Sequence, residues 1–129
     1  MGGRGTFASG NIVAYEYKTI NKINGVKVLV PIDERRSHKA PEEAHSSRAY
    51  IILNKKTGIF RQYREYNEKG EAIFEIGYHK EPGLGSGEIL HVHFYSAPGV
   101  ENRQKAVRIT KTIYEKYKKY LKGVPEPKW

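Results

Sequence analysis

Cysteine is absent from the 129-residue sequence, and methionine and tryptophan occur once each. Without thiols the chain forms no disulfide framework and no thiolate metal site, so any metal would need His, Asp or Glu ligands. A chain without disulfides is typical of a reducing compartment, and we expect a cytoplasmic protein.

Long apolar runs are also absent. No segment approaches the roughly 18 consecutive apolar residues that a membrane-spanning helix needs. The first residues, MGGRGTFASGN, contain no apolar signal-peptide core. We therefore expect no membrane partner.

Acidic residues are scarce relative to basic ones, with 14 Asp and Glu against 23 Lys and Arg and a formal net charge of +9. This excludes an acidic mimic of DNA. A surplus of this size attracts polyanions over about a Debye length. The expected partner is nucleic acid, a ribonucleoprotein or an acidic protein surface.

The length indicates one domain, because 129 residues bury one core and leave no room for a second. Residues 1–11 contain four glycines and little apolar surface, which predicts a flexible arm. Residues 12–124 are predicted to form a single α+β domain. Residues 125–129 contain two prolines and form a predicted tail.

Runs rich in β-branched and aromatic residues predict the strands. The runs at 12–17 and 26–32 are joined by Asn24-Gly25, a strong two-residue turn signal, and predict an N-terminal hairpin. A polar loop is expected at 33–47. Four further runs, at 49–54, 59–66, 71–78 and 89–95, are separated by glycine-containing connections and predict an antiparallel β-meander of three or four strands.

The C-terminal region predicts a helix over 111–122. Thr110 is a suitable N-cap, and Gly123 stands where a left-handed C-cap is usual. Ile113, Tyr117 and Leu121 recur at helical spacing and are expected to pack on the sheet. The predicted fold class is α+β, with an N-terminal hairpin, an antiparallel meander and one basic C-terminal helix packed on the sheet.

Basic residues concentrate around this helix, where the only acid between 103 and 122 is Glu115. Interleaved with tyrosines, such a segment can contact phosphates while its aromatic rings stack on bases. The alternative is that the lysines face solvent while the tyrosines pack inward. The predicted binding residues are Arg103, Lys105, Arg108, Lys111, Lys116, Lys118, Lys119 and Lys122.

A second candidate site is the His91-Val92-His93 motif on the last predicted strand. Residues two apart on a strand point to one face, so both imidazoles project together, with Tyr95 next in the row. One histidine of such a pair can act as general base on a 2′-hydroxyl and the other as general acid on the leaving oxygen. The alternative is a half-exposed strand face without a catalytic role.

The same pair could instead bind a metal with one further ligand, and His79, Glu81 and Glu88 are nearest in sequence. We assign no metal or other cofactor from the sequence. The candidate catalytic residues are His79, His91 and His93. Lys80 is a nearby cation that would assist them.

Several segments together resemble a family of small phage and prophage proteins. The matching elements are the Gly2-Gly3-Arg4-Gly5 start, the stretch at 63–76 with its turn at 67–70, the three histidines His79, His91 and His93, Tyr95, and the helix after Thr110. These relatives begin with GGRG and occur alone or attached to minor head proteins. Related domains at the ends of polymorphic toxins are suspected nucleases.

The resemblance implies a phage or prophage accessory protein in the host bacterial cytoplasm. We expect it to bind nucleic acid or a host ribonucleoprotein through its basic surface, and thereby to inhibit a host defence. The alternative is a small metal-independent ribonuclease-like toxin domain that uses His91 and His93, with His79 as a further candidate. Whether the chain is an enzyme, and its oligomeric state, stay open on the sequence alone.

Overall fold

The computed structural model describes residues 17–31, 39–44 and 47–129. The predicted arm at 1–11, and the predicted first strand at 12–17 except for Tyr17, lie outside these ranges. So does most of the polar loop predicted at 33–47.

In the described ranges seven strands form one sheet, in which the spatial order follows the order along the chain. The strands are β1 (Tyr17–Ile23), β2 (Val26–Pro31), β3 (Ala49–Leu53), β4 (Phe60–Tyr66), β5 (Ala72–Lys80), β6 (Glu88–Phe94) and β7 (Val107–Arg108). All neighbouring pairs are antiparallel except β2 and β3, which run parallel.

The predicted fold class was wrong. A hairpin, a separate antiparallel meander and a packed helix were expected, whereas the described chain is mainly one mixed seven-stranded sheet with a single short α-helix. The parallel pair joins the two predicted units, with Lys27 opposite Tyr50 and Leu29 opposite Ile52. Two parallel strands are joined by a long connection rather than a short turn, so no turn motif in the sequence predicts their pairing.

The helix α1 spans Lys111–Tyr117 and continues as a 3-10 turn at Lys118–Tyr120, so it is shorter than the predicted 111–122. Thr110 caps it as expected, because its side chain accepts a hydrogen bond from the Ile113 N–H at 3.2 Å. The Phe60 N–H donates to the Lys122 carbonyl at 2.8 Å. This contact holds the chain against β4 where a longer helix would have continued.

One side of the sheet, the helix face, packs against α1. Tyr114, Tyr117 and Leu121 are buried there in one cluster with sheet residues such as Tyr63 and Ile76. The Tyr63 ring lies 5.3 Å from that of Tyr117. Each aromatic pair of this kind adds about 0.5–1.5 kcal/mol beyond its area burial, so the tyrosines hold the helix on the sheet.

The opposite side, the polar face, has its own small apolar cluster around Leu29, Tyr50 and Tyr66. Beside that cluster, on β4 to β6, it buries an unusual set of polar side chains: Gln62, Arg64, Glu75, His91 and His93. Part of the segment 39–44 covers this face, since Ala40 and Pro41 are buried. This face is therefore largely enclosed around these polar side chains.

Within the described ranges, no helix combines the length and apolarity required to cross a membrane.

Candidate functional site

The register of β5 and β6 brings the site together. Glu75 lies opposite His93, and Gly77 lies opposite His91. Side chains alternate along a strand, so these residues share the polar face, whereas Phe74 and Ile76 face α1. The predicted common face of His91 and His93 is confirmed, and His79 joins them from β5, with its ring centroid 4.6 Å from that of His91.

The Glu75 carboxylate is the centre of the polar contacts. It accepts hydrogen bonds from Arg64 Nε at 3.1 Å and from the Tyr95 hydroxyl at 2.8 Å, both on Oε1. On Oε2 it accepts from Gln62 Nε2 and from the Arg103 guanidinium, both at 3.1 Å. Buried charges are tolerated when they are paired and hydrogen-bonded in this way.

The same network fixes the covering segment. The Arg64 guanidinium donates to the carbonyls of Ala40 at 3.0 Å and Pro41 at 3.1 Å, and the Tyr66 hydroxyl also donates to the Pro41 carbonyl. Gln62 accepts from the Ala40 N–H at 2.7 Å. The residues that hold Glu75 thus also hold the chain that shields it from water.

These contacts set the charge state of Glu75. Burial on its own would raise the pKa of this carboxyl, but Arg64, the Tyr95 hydrogen bond and Arg103 outweigh burial and lower it below its ordinary value. Burial raises the pKa of Tyr95, and its hydrogen bond to Glu75 adds to the effect. At neutral pH the site therefore holds a carboxylate bound by a neutral phenol and two guanidiniums.

His91 lies beneath the site with its side chain fully buried. Its Nδ1 lies 2.8 Å from the Ile89 carbonyl. A carbonyl only accepts, so Nδ1 bears the proton and Nε2 presents a lone pair. Burial lowers the pKa of His91, which favours this neutral form. Among the described residues, Nε2 has no hydrogen-bond partner.

Gly77 makes room for this imidazole. A Cβ at that position would lie 2.7 Å from His91 Nε2, closer than real Cβ contacts, and 3.0 Å from His79 Nε2, which is tighter than most of them. A side chain at this position would force one of the rings to shift, so glycine lets both rings lie over the β5 backbone without strain. The free nitrogen of His91 is therefore directed toward His79 rather than blocked by a side chain.

Glu81 completes a group with the two histidines, here named the His79–Glu81–His91 cluster. Its Oε2 lies 4.0 Å from His79 Nδ1 and 4.0 Å from His91 Nε2. One nitrogen from each ring and one carboxylate oxygen all lie within 4.8 Å of one another. Glu81 follows β5 directly, and the turn that begins there is closed by the Leu84 N–H donating to the Glu81 carbonyl at 2.8 Å.

His93 is oriented in the same way as His91 but faces different groups. Its Nδ1 lies 2.7 Å from the Gln104 carbonyl, so the proton resides on Nδ1 and Nε2 is free to accept. That Nε2 lies 4.0 Å from Glu75 Oε2. His91 therefore belongs to the His79–Glu81–His91 cluster, whereas His93 contacts the group around Glu75. The two ring centroids are 5.3 Å apart.

Both clusters border one concavity, here named the polar pocket, of about 200 Å³. Three cations, one amide, two carboxylates and two imidazoles line it: Lys39, Arg61, Gln62, Glu75, His79, Glu81, His93 and Arg103. His91 does not line the pocket itself but lies beneath it. With three cations against two carboxylates, the lining carries a small positive surplus that favours a negatively charged ligand.

The predicted basic residues are all exposed but do not form one surface. Arg103 borders the polar pocket through Glu75, whereas Lys111, Lys116, Lys118, Lys119 and Lys122 surround α1 on the helix face. Arg108 donates to the Leu84 carbonyl. The tyrosines of the helix pack inward, with Tyr114 and Tyr117 buried, so the proposed stacking of bases on those two rings does not apply.

Sequence reasoning missed the Arg64–Glu75 pair. Glu75 stands at an alternating strand position, which in a half-exposed sheet predicts a solvated carboxylate. The one available signal was that Arg64 and Glu75 both occupy strands among apolar and aromatic residues, where pairing across neighbouring strands is expected. Glu88, considered as a third ligand, lies away from the polar pocket, beside Tyr78.

Comparisons with known proteins returned no matching family model, no matching curated protein and no matching solved structure. The resemblance to phage and prophage proteins therefore stays a prediction, and the site has to be interpreted from its own chemistry.

Proposed function

We propose that the polar pocket binds a phosphodiester of RNA and cleaves it. The observation that supports this most strongly is the placement of His93 and His79 in one concavity with the cations Lys39, Arg61 and Arg103. Imidazoles and guanidiniums arranged around an anion-sized space are the groups that RNA cleavage through a 2′-hydroxyl requires.

The cations that line the pocket, Lys39, Arg61 and Arg103, would bind the phosphate. Arg103 is the best placed, because its guanidinium reaches Glu75 with one nitrogen while 44% of its side chain stays exposed. A guanidinium fixed by a buried carboxylate is preorganised to bind a phosphoryl oxygen in two-pronged geometry. It would also stabilise the extra negative charge of the pentacoordinate transition state.

His93 would accept the proton of the 2′-hydroxyl. With Nδ1–H held by the Gln104 carbonyl, Nε2 presents its lone pair toward the pocket. It would take the proton of the 2′-hydroxyl as that oxygen attacks phosphorus. The bond from phosphorus to the 5′-oxygen breaks, which leaves a 2′,3′-cyclic phosphate and a free 5′-hydroxyl.

The departing 5′-oxygen needs a proton or a cation, and the His79–Glu81 end of the pocket would supply it. In a metal-free reaction, His79 donates the proton. The reaction still uses two histidines, as the sequence predicts. His79 takes the place of His91, because His91 lies beneath the pocket rather than in it.

The direct test is to incubate the purified protein with a single-stranded RNA and with a DNA of the same sequence. We expect cleavage of the RNA only, with cyclic-phosphate ends. His93→Ala should lower the rate by about 100-fold or more, as expected for loss of a proton-transfer group. Arg103→Ala should also lower it, and the fold should survive because Arg64 still pairs with Glu75.

Lys56→Ala is the matched control, because it removes one positive charge from the exposed turn between β3 and β4, away from the pocket. Its rate should equal that of the wild type. Equal cleavage by the wild type and the folded His93→Ala and Arg103→Ala variants would contradict the proposal and indicate a contaminating nuclease.

A second candidate function rests on the exposed lysines around α1. They would bind the phosphates of nucleic acid or of a host ribonucleoprotein without cleaving them, as the charge distribution of the sequence predicts. Binding of this kind weakens with salt by about one power of salt concentration for each phosphate contact. Alanine at Lys116, Lys119 and Lys122 together should then lower the salt slope measured in a gel-shift titration, whereas an unchanged slope would exclude this surface.

A further inference from the structure

We infer that His79, Glu81 and His91 bind a divalent transition-metal ion, with Zn²⁺ matching the ligand set best. Two imidazoles and one carboxylate are a zinc-type donor set, and three protein ligands leave a fourth position open for water or a substrate oxygen. The inference rests on the proposed function only for what the ion would do. Binding itself is argued from the geometry.

The buried nitrogen of His91 is the first observation. A fully enclosed polar atom without a partner costs about 1–3 kcal/mol, so such atoms are rare unless a ligand pairs with them. His91 Nε2 is such an atom among the described residues, and it points at the two other members of the cluster. A metal ion would satisfy it.

The orientation of His91 is the second observation. Metal-binding histidines nearly always donate the other ring N–H to a carbonyl or carboxylate, which fixes the tautomer and the ring plane. His91 does this through Nδ1 and the Ile89 carbonyl at 2.8 Å. Gly77 adds the required space, since a side chain there would overlap both rings.

The spacing of the ligand atoms is the third observation. Tetrahedral zinc with bonds of about 2.0–2.1 Å holds its ligand atoms about 3.3 Å apart. Glu81 Oε2 lies 4.0 Å from His79 Nδ1 and from His91 Nε2, and the three ligand atoms lie within 4.8 Å of one another, so they must approach to bind an ion, and His79 Nδ1 must leave the Lys80 carbonyl that lies 3.3 Å away. His79 and Glu81 are each about one-third exposed and can close that gap by side-chain rotation, while buried His91 stays in place.

An ion at this position would take over the role that His79 has in the metal-free reaction, since a metal-bound imidazole no longer donates a proton. It would lie between His79, Glu81 and His91, next to the departing 5′-oxygen. A cation bound there would stabilise the negative charge that develops on this oxygen, as a Lewis acid. This explains why His91 belongs to the constellation although it does not reach the pocket. His93 would keep its role as the proton acceptor.

The test is calorimetric titration of chelator-treated protein with ZnCl₂ and, separately, with MgCl₂. We expect stoichiometric Zn²⁺ binding and weak or undetectable Mg²⁺ binding. Combining His79→Ala with Glu81→Gln should lower the zinc affinity at least about tenfold, because even residues that only orient a ligand contribute 10–100-fold. Both positions are partly exposed, so the fold should survive. Glu88→Gln, outside the cluster, should bind zinc as the wild type does.

Imidazole NMR resonances provide the second readout. Zinc should shift the ring nitrogens of His79 and His91 and leave those of His93 nearly unchanged. Unchanged affinity in the double variant, or shifts confined to other histidines, would overturn the inference. Zinc binding at this cluster without RNA cleavage would refute the proposed function alone. Cleavage by the wild type in chelator, lost in the double variant, would refute the ion's role and leave the metal-free reaction with His79 as proton donor standing.

Discussion

Glu75 is the residue on which the polar contacts of the site converge, and its replacement is the sharpest single-residue test. Glu75→Gln keeps the shape but leaves the buried Arg64 guanidinium without its countercharge. Breaking a buried ion pair from one side costs about 3–5 kcal/mol. We expect a loss of that order in the free energy of unfolding measured with urea. Glu88→Gln on the same sheet should change it by less than about 0.5 kcal/mol.

The lowered pKa of Glu75 leads to a second prediction, on how the free energy of unfolding changes at acid pH. A carboxyl whose pKa is lower in the folded state stabilises the protein above its unfolded value, which is 4.5, and that contribution disappears as the pH falls through the folded value. The stability difference between wild type and Glu75→Gln should therefore be full at pH 6 and shrink steadily below about pH 4.5. A difference that stays constant down to pH 2 would contradict the network described here.

Gly77 yields the third prediction. Gly77→Ala adds one methyl group in contact with His91 and His79, and overpacking of this kind costs about 1–3 kcal/mol. The variant should unfold at lower urea concentration and bind zinc more weakly. Gly83→Ala is the matched control, because an added Cβ there meets nothing within 4 Å. Equal losses in both variants would show that the effect comes from the backbone and not from the imidazoles.

At the scale of the structural elements, the helix α1 is capped by a local contact of Thr110. It is short, so the Thr110 cap satisfies a considerable fraction of its unpaired N–H groups. Thr110→Ala should cost about 1 kcal/mol, within the usual range of 0.5–2 kcal/mol. Thr112→Ala, exposed within the helix, should cost less. Amide exchange at 113–121 should accelerate in the first variant only, and equal acceleration in both would argue against the cap.

The strands show what the sequence could and could not predict. The glycine-containing turns gave strands close to β3 to β6, and strict alternation placed His91, His93 and Tyr95 on one face. The parallel contact of β2 with β3 was missed, because it depends on residues far apart in sequence. The helix end was missed because a tertiary contact, Phe60 with Lys122, ends it.

The candidate site was only partly predictable for a related reason. The histidines could be found, since residue type and a two-residue period suffice. The buried state of Arg64 and Glu75 could not, because it depends on the segment 39–44 folding over the polar face. The same burial distinguishes His93, which borders the pocket, from His91, which lies beneath it.

At the scale of the whole molecule, cations of the described residues occur on both faces of the sheet. The lysines of α1 lie on the helix face, while Lys39, Arg61 and Arg103 surround the polar pocket on the other face. Charge alone therefore does not locate the contact with a polyanion. The imidazoles and the buried carboxylate occur on the polar face, and this is why we place the functional site there.

The most direct test of that placement is an NMR titration of the ¹⁵N-labelled protein with a short single-stranded RNA whose 2′-hydroxyls are methylated, so that it binds without being cleaved. We predict that the amide shifts concentrate around His79, Glu81, His93 and Arg103. Shifts confined to residues 111–122, with the β5 and β6 amides unchanged, would contradict the account. They would show that the RNA binds at the basic helix instead.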